Sequence, residues 1–128
     1  MQTFVIVMVL AIVSFATYAG ALPGSPFLAI HPQATVASIY VPNGGKDFAA
    51  KMRFLEAMDT YAAEFAAAGE PLVLCGDLNV TRTDMDVHPK ERKPRATGQL
   101  PEERALLERI IGRGLVDVQR MLHPDDAE

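Results

Sequence analysis

Two side chains able to do polar chemistry stand directly behind a run of apolar ones. Leu72 to Asn79 reads LVLCGDLN, so Asp77 and Asn79 finish a segment whose earlier residues are built for burial. Open α/β sheets gather ligands beyond the carboxyl ends of their strands, where the loops converge, and a carboxylate in that position is a candidate for chemistry. The same residues also have a purely local use: Asp77 can start a turn and Asn79 can bond its own backbone, as Asx residues do. Cys75 reads as a buried thiol, and as the only cysteine it excludes an internal disulfide and a zinc-type cysteine cluster.

The elements that must position this pair follow an α/β order. Thr35 to Val41, TVASIYV, is β-branched and aromatic and stops at Pro42-Asn43-Gly44-Gly45, a cluster that ends a strand in a turn. Lys46 to Ala68 reads as a helix in which Phe48, Met52, Leu55, Met58, Ala62 and Phe65 recur at steps of three and four. Lys51, Arg53, Glu56, Asp59 and Glu64 fall between them as the polar face, and Gly69 ends the helix as a cap. Pro71 to Gly76 is a short continuous apolar run, the pattern of a strand buried on both faces in βαβ order.

Further along, Pro101 suits a first helical position, Glu102 and Glu103 favour the positive amino end of the dipole, and Arg109 and Arg113 lie toward the other end. Leu106, Leu107, Ile110 and Ile111 form the buried stripe of that helix, which Gly112 and Gly114 close. Asp117 is placed to cap a short helix carrying Val118, Met121 and Leu122, stopped by Pro124. This apolar surface needs cover.

With 128 residues, of which 49% are hydrophobic, the chain suffices for one domain or part of one. Its net charge of −4 and pI near 5.3 exclude a bulk basic field that would draw nucleic acid, so any phosphate binding is local. Charge is uneven: Met1 to Gly45 holds no Asp, Glu, Lys or Arg, and all 12 basic and 16 acidic residues follow. Phe4 to Val13, FVIVMVLAIV, has the length of a signal-peptide core, and Ala19-Gly20-Ala21 before Leu22-Pro23 resembles a cleavage site. Phe4 to Leu22 barely reaches the ~20 residues that cross a bilayer, and MQT lacks the positive flank that orients such segments. Export or membrane anchoring, a buried strand or helix, and a stretch unrelated to the remainder all fit residues 1–33.

Three words change the reading of Asp77 and Asn79. IYVPNGG at Ile39 to Gly45, CGDLNVTRTDMD at Cys75 to Asp86 and LPEERALLERIIGRGLVDVQR at Leu100 to Arg120 together resemble the exonuclease III and abasic-site endonuclease family. These are metal-dependent phosphodiesterases of the endonuclease, exonuclease and phosphatase superfamily. The resemblance runs from about Ala34 to the end and is absent before it, which divides the chain into an apolar segment, 1–33, and a partial exonuclease III-like domain, 34–128. It implies an α/β fold, a fragment of a four-layer α/β sandwich.

It also implies roles. Tyr40 corresponds to the tyrosine that contacts the scissile phosphate, with a strand aromatic at the rim as the alternative use, and Asn43 to the residue that binds the DNA backbone. Asp77 inherits the part of the group that orients or deprotonates the attacking water, and Asn79 that of a hydrogen-bond donor to the phosphate oxygen. Both are implied to touch a magnesium or manganese ion. Phosphodiester hydrolysis needs an activated water and compensation for charge on the phosphoryl oxygens, and a donor amide beside a carboxylate serves both needs. The partner so implied is DNA carrying an abasic site or a 3′ end, and the location cytoplasmic, against which residues 4–22 raise export or a membrane.

The departures carry as much weight. The family's early asparagine and metal-binding glutamate have no match in Met1 to Gln33, which contains no Glu at all. Its late aspartate and serine-aspartate-histidine word have no match before HPDDAE, and His123 does not replace them. The expectation is therefore a magnesium-dependent DNA phosphodiester hydrolase that is truncated and impaired. Its rivals are a non-catalytic, exported or membrane-tethered remnant and a secreted nuclease or phosphodiesterase of the same superfamily.

Lesser signals remain. His88 to Arg95, HPKERKPR, has four basic residues, one acid and two prolines, and reads equally as a DNA-backbone loop and as a solvated irregular one. Asp84 and Asp86 suit turn capping better than cation binding. Asn79-Val80-Thr81 matches a glycosylation acceptor, but a glycan there would occupy the candidate site.

Overall fold

The computed structural model describes residues 34–126 together with the backbone of residues 8–10. In chain order the elements are β1 (Met8–Leu10), β2 (Thr35–Tyr40), α1 (Phe48–Ala68), β3 (Leu72–Asp77), α2 (Pro101–Ile111), β4 (Leu115–Asp117) and α3 (Val118–Leu122). The strands form one sheet in the order β2-β3-β1-β4, with β2 and β3 parallel and β1 antiparallel to both of its neighbours. The architecture is mixed α/β.

Local chemistry accounts for the main elements. Asp47 caps α1, its Oδ1 accepting from Ala50 N at 2.8 Å, and Gly69 closes the helix while its N–H and that of Glu70 return to Ala66 and Phe65 carbonyls. The β2–β3 ladder aligns Thr35 with Leu72 and ends with Tyr40 opposite Asp77. Gly76 stands where Cβ is forbidden: its φ is +127°, and an added Cβ would lie 2.0 Å from the Ile39 carbonyl oxygen.

The core lies on one face of this sheet. Leu55, Met58 and Ala62 of α1 and Leu106, Leu107 and Ile110 of α2 pack against Leu72, Leu74 and Leu115, with Val41, Leu78 and Val80 closing the strand ends. On the other face Val36 and Tyr40 are exposed and Val73 and Cys75 half-buried. Here β3 departs from the expectation of a strand covered on both faces, because α1 and α2 cover only Leu72 and Leu74. Cys75 is accordingly not a buried thiol; its Sγ reaches the Ala37 carbonyl at 3.7 Å.

One further difference arises near the carboxyl end. Leu115–Asp117 forms β4, a strand too short for alternation to announce it, and Asp117 caps α3 as expected by accepting from Arg120 N at 3.0 Å. Met121 and Leu122 of α3 are more than half exposed, the uncovered apolar surface that the sequence leads one to expect. The signal or anchor readings of Phe4 to Val13 and Phe4 to Leu22 lie outside the described residues, apart from the β1 backbone. Among the described residues no helix is long and apolar enough to cross a membrane.

Candidate active site

The two polar turns that follow β2 and β3 meet at the carboxyl end of this parallel pair. Tyr40 and Asp77 are cross-strand partners on the face away from α1 and α2, and the ladder continues one bond further, Val41 N donating to Asp77 O at 2.9 Å. Asp77 Oδ1 accepts from Asn79 N at 3.0 Å, which closes an Asx turn. Asn79 adopts φ +49°, a left-handed conformation that asparagine tolerates better than most residues. Its side chain then crosses to the neighbouring strand, Nδ2 donating to the Val41 carbonyl at 2.7 Å.

The local alternative for Asp77 is thus realised with one oxygen only. Among the described residues Asp77 Oδ2 makes no hydrogen bond, and the second amide N–H and the Oδ1 of Asn79 have no partner. The Tyr40 ring is 65% exposed, and its hydroxyl bonds to no described residue. A half-exposed carboxylate, an amide donor and a phenol therefore share one rim. Asn43 joins them less directly: its side-chain oxygen serves its own turn, Oδ1 accepting from Gly45 N at 3.2 Å, and its carbonyl is tied to Asn79.

That tie is Lys51. Its ammonium, fully buried, donates to the Asn43 carbonyl at 3.1 Å and the Asn79 main-chain carbonyl at 2.7 Å, and lies 2.5 Å from Glu103 Oε1, itself fully buried. The third contact is an ion pair whose angle falls short of a good hydrogen bond. Glu103 Oε2 in turn accepts from Gly98 N at 2.6 Å and Leu100 N at 3.0 Å, and the Gly98 carbonyl accepts from both N and Oγ1 of Thr81.

Arginines fasten the loop that leaves Asn79. Arg82 bonds Glu108 through Nε at 2.6 Å and Asp117 through Nη1 at 3.2 Å; Glu108 above all, with Asp117, raises its pKa against the opposing effect of burial. Arg104 holds Asp84 at 2.9 Å, and Arg120 holds Asp86. Asp86 Oδ2 also accepts from Thr83 N at 2.8 Å, the return half of a capping box in which Thr83 caps a single 3-10 turn at Asp84–Asp86, so this pair is occupied by arginines and capping, as the turn reading anticipates. The basic run forms a second 3-10 turn at Pro89–Glu91, braced by Gln99 and leaving Lys90, Lys93 and Arg95 exposed.

Comparison with known proteins sets this geometry in a family. No family model matches the chain. It is 32% identical over 91 residues to Recombination repair protein 1 of Drosophila melanogaster, covering 69% of this chain and 13% of that one. It is 32% identical over 110 residues to the DNA repair nuclease APEX1 of Danio rerio, covering 81% of this chain and 34% of the relative. Against the Exodeoxyribonuclease of Bacillus subtilis the figures are 33% over 94 residues, 70% and 36%. The chain is a partial relative of the exonuclease III and abasic-site endonuclease family. It spans about a third of the length of two of these relatives, at 34% and 36%, and 13% of the other.

The family words at Tyr40 and Asp77 are legible from sequence, but the buried pair behind them is not. The sequence pattern puts Lys51 on the polar face of α1 and Glu103 at the positive end of the helix dipole, whereas both are fully buried. A signal is present: Lys51, Leu55, Met58 and Ala62 follow steps of four, three and four, and Glu103, Leu107 and Ile110 steps of four and three. Opposite charges at the first positions of two buried stripes announce an internal pair. Asp59 is likewise buried, bonded by Arg109 at 3.0 Å and Arg113 at 2.9 Å. The Arg113 hydrogen bond, with help from Arg109, holds its carboxyl below the usual range despite burial.

Proposed function

We propose that the turns after β2 and β3 form part of a magnesium-dependent phosphodiester-hydrolysing centre acting on DNA at abasic sites or 3′ ends. The observation that carries this reading is the parallel pairing of β2 with β3, which sets Tyr40 opposite Asp77 and ties Asn79 back to Val41. The names of the relatives, a DNA repair nuclease and an exodeoxyribonuclease among them, support DNA as the substrate.

In this reading Asp77 Oδ2 faces the attacking water, the second Asn79 N–H meets a phosphoryl oxygen as its charge grows, and the Tyr40 hydroxyl contacts the scissile phosphate. The Asn43 turn and the exposed Lys90, Lys93 and Arg95 meet the DNA backbone, compensating locally for a chain of net charge −4. No group of three or more His, Cys, Asp or Glu gathers among the described residues, so these side chains do not build an all-protein metal cage. A single carboxylate does fit magnesium, which keeps several waters and completes its shell from substrate phosphate. Asp77, with Asn79 Oδ1 beside it, would hold the ion, which would supply charge neutralisation at the phosphate.

Turnover in this reading is slow. Among the described residues His88 Nδ1 accepts from Lys90 N, His123 sits 3.5 Å from Asp126 and neither imidazole bonds Asp77, and a positioned acid-base partner typically contributes about 10²- to 10⁴-fold. The finer fold reading is a four-layer α/β sandwich, supported by the sheet face that leaves Val36 exposed and Val73 half-buried. The test is incubation with one duplex containing a single abasic site and another with a recessed 3′ end, with and without magnesium. Nicking or resection confined to the magnesium samples is expected; its absence from both substrates would sink the proposal.

A further inference from the structure

The Lys51–Glu103 pair is buried where an apolar pair would serve the core as well. Removing two charges from water costs several kcal/mol per ion, and replacing such a pair by packed hydrophobic residues is often neutral or stabilising. Stability alone therefore does not explain it. The geometry of the ammonium does: its partners come from three separate segments, namely two hydrogen-bond acceptors, the Asn43 carbonyl after β2 and the Asn79 carbonyl after β3, and the ion-paired Glu103 in the first turn of α2. The stem of Lys51 runs directly beneath the Pro42–Gly45 turn, since a Cβ added at Gly44 would lie 2.7 Å from Lys51 Cδ. Beyond Glu103 the chain of contacts returns through Gly98 to Thr81, two residues after Asn79.

We propose that Lys51 is a positioning residue of the site: by bonding the Asn43 and Asn79 carbonyls from below, and taking its own orientation from Glu103, it sets the spacing of the two turns that carry Tyr40, Asp77 and Asn79. A methionine or leucine in its place would fill the volume but supply no donors, so both carbonyls would lose their partner and the turns would be free to separate. Glu103 orients the ammonium and neutralises it, so the pair adds no net charge. The inference deepens the nuclease reading and rests on it for the identity of the substrate, though not for the ordering of the turns.

The test is the double variant Lys51→Met with Glu103→Gln. Net charge is unchanged, so bulk attraction to DNA stays the same, and the amide oxygen introduced at position 103 can still accept from Gly98 and Leu100. Two quantities are read. Amide hydrogen exchange at Asn79, whose N–H bonds Asp77, should accelerate about tenfold or more as the local opening free energy falls, while Leu55 in α1 and Leu74 in β3 stay within about twofold. Affinity for an abasic-site duplex should fall by about tenfold or more, with that for the intact duplex unchanged, and any cleavage should slow on the order of 10²-fold. A folded variant that keeps Asn79 protection and abasic-site affinity within about twofold of the parent overturns the proposal. If the double variant does not fold, the unaltered protein decides: proton exchange of the Lys51 ammonium with water, followed by 15N NMR, should be far slower than at exposed Lys90 and Lys93, and equal rates overturn it. Failure of the parent chain to bind or cut any abasic duplex would remove the nuclease reading, while the exchange data would still decide the role of Lys51.

Discussion

Asn79 concentrates two structural demands in one side chain, and substitutions at this position separate them. Its φ of +49° is a left-handed conformation that costs an ordinary residue roughly 1–2 kcal/mol. Its Nδ2 satisfies the carbonyl of Val41, a residue with no exposed surface, at 2.7 Å. Alanine loses both features: an orphaned buried carbonyl costs about 1–3 kcal/mol, and adding about 1 kcal/mol for the backbone gives roughly 2–4 kcal/mol of destabilisation. Glycine leaves the same carbonyl unpaired but takes the left-handed conformation freely, so Asn79→Gly should be more stable than Asn79→Ala by about 1 kcal/mol. In a domain of this size that difference corresponds to about 4–8 °C in Tm, which thermal unfolding followed by circular dichroism resolves. Equal melting temperatures, or a glycine variant melting below the alanine one, would refute the account of the GDLN turn.

The remaining predictions concern the scaffold. Asp59 has its carboxyl pKa lowered, first by the Arg113 hydrogen bond, so it contributes stability that is present above the unfolded-state value near pH 4 and lost as pH falls through the lower folded-state value. Asp59→Asn should therefore flatten the loss of stability below about pH 4 in denaturant titrations, and an unchanged slope would remove Asp59 from the explanation. Gly76→Ala should cost at least about 2 kcal/mol, since its Cβ would meet the Ile39 carbonyl at 2.0 Å and push β2 from β3. A variant melting within about a degree of the parent would show that the two strands are not so closely joined.

What the sequence makes legible is local. The β2 and α1 patterns, the Gly69 cap, the Pro101 start and the Asp117 cap each depend on a few neighbouring residues, and all are found where their signals stand. Burial is less legible, because it depends on what lies across the fold. Cys75 and Val73 sit in an apolar run, yet α1 and α2 reach only the alternate residues Leu72 and Leu74. Lys51 is hidden by the rule that assigns charge to solvent; its partner Glu103 lies on another helix, although the stripe spacing of both residues is there to be read. Within the candidate site the ladder puts Tyr40 opposite Asp77 and brings Asn79 to Val41, as the words YVPN and GDLN suggest, whereas the Asn43 side chain turns to Gly45. No spacing rule distinguishes that outcome.

The central claim is that Asp77 stands at the heart of a phosphodiester-cleaving site. Its most direct test compares the chain with Asp77→Ala, an alteration that removes Oδ2 and the Asx bond to Asn79 while leaving the main-chain bond from Val41 to residue 77 available. Each protein is incubated with a duplex containing one abasic site in magnesium, and the nicked strand is quantified over time. The account predicts slow nicking by the parent chain and a loss of about 10²-fold or more in the variant, the scale of a positioned acid-base group. Nicking by Asp77→Ala at the parental rate, or no nicking by either protein, would contradict it.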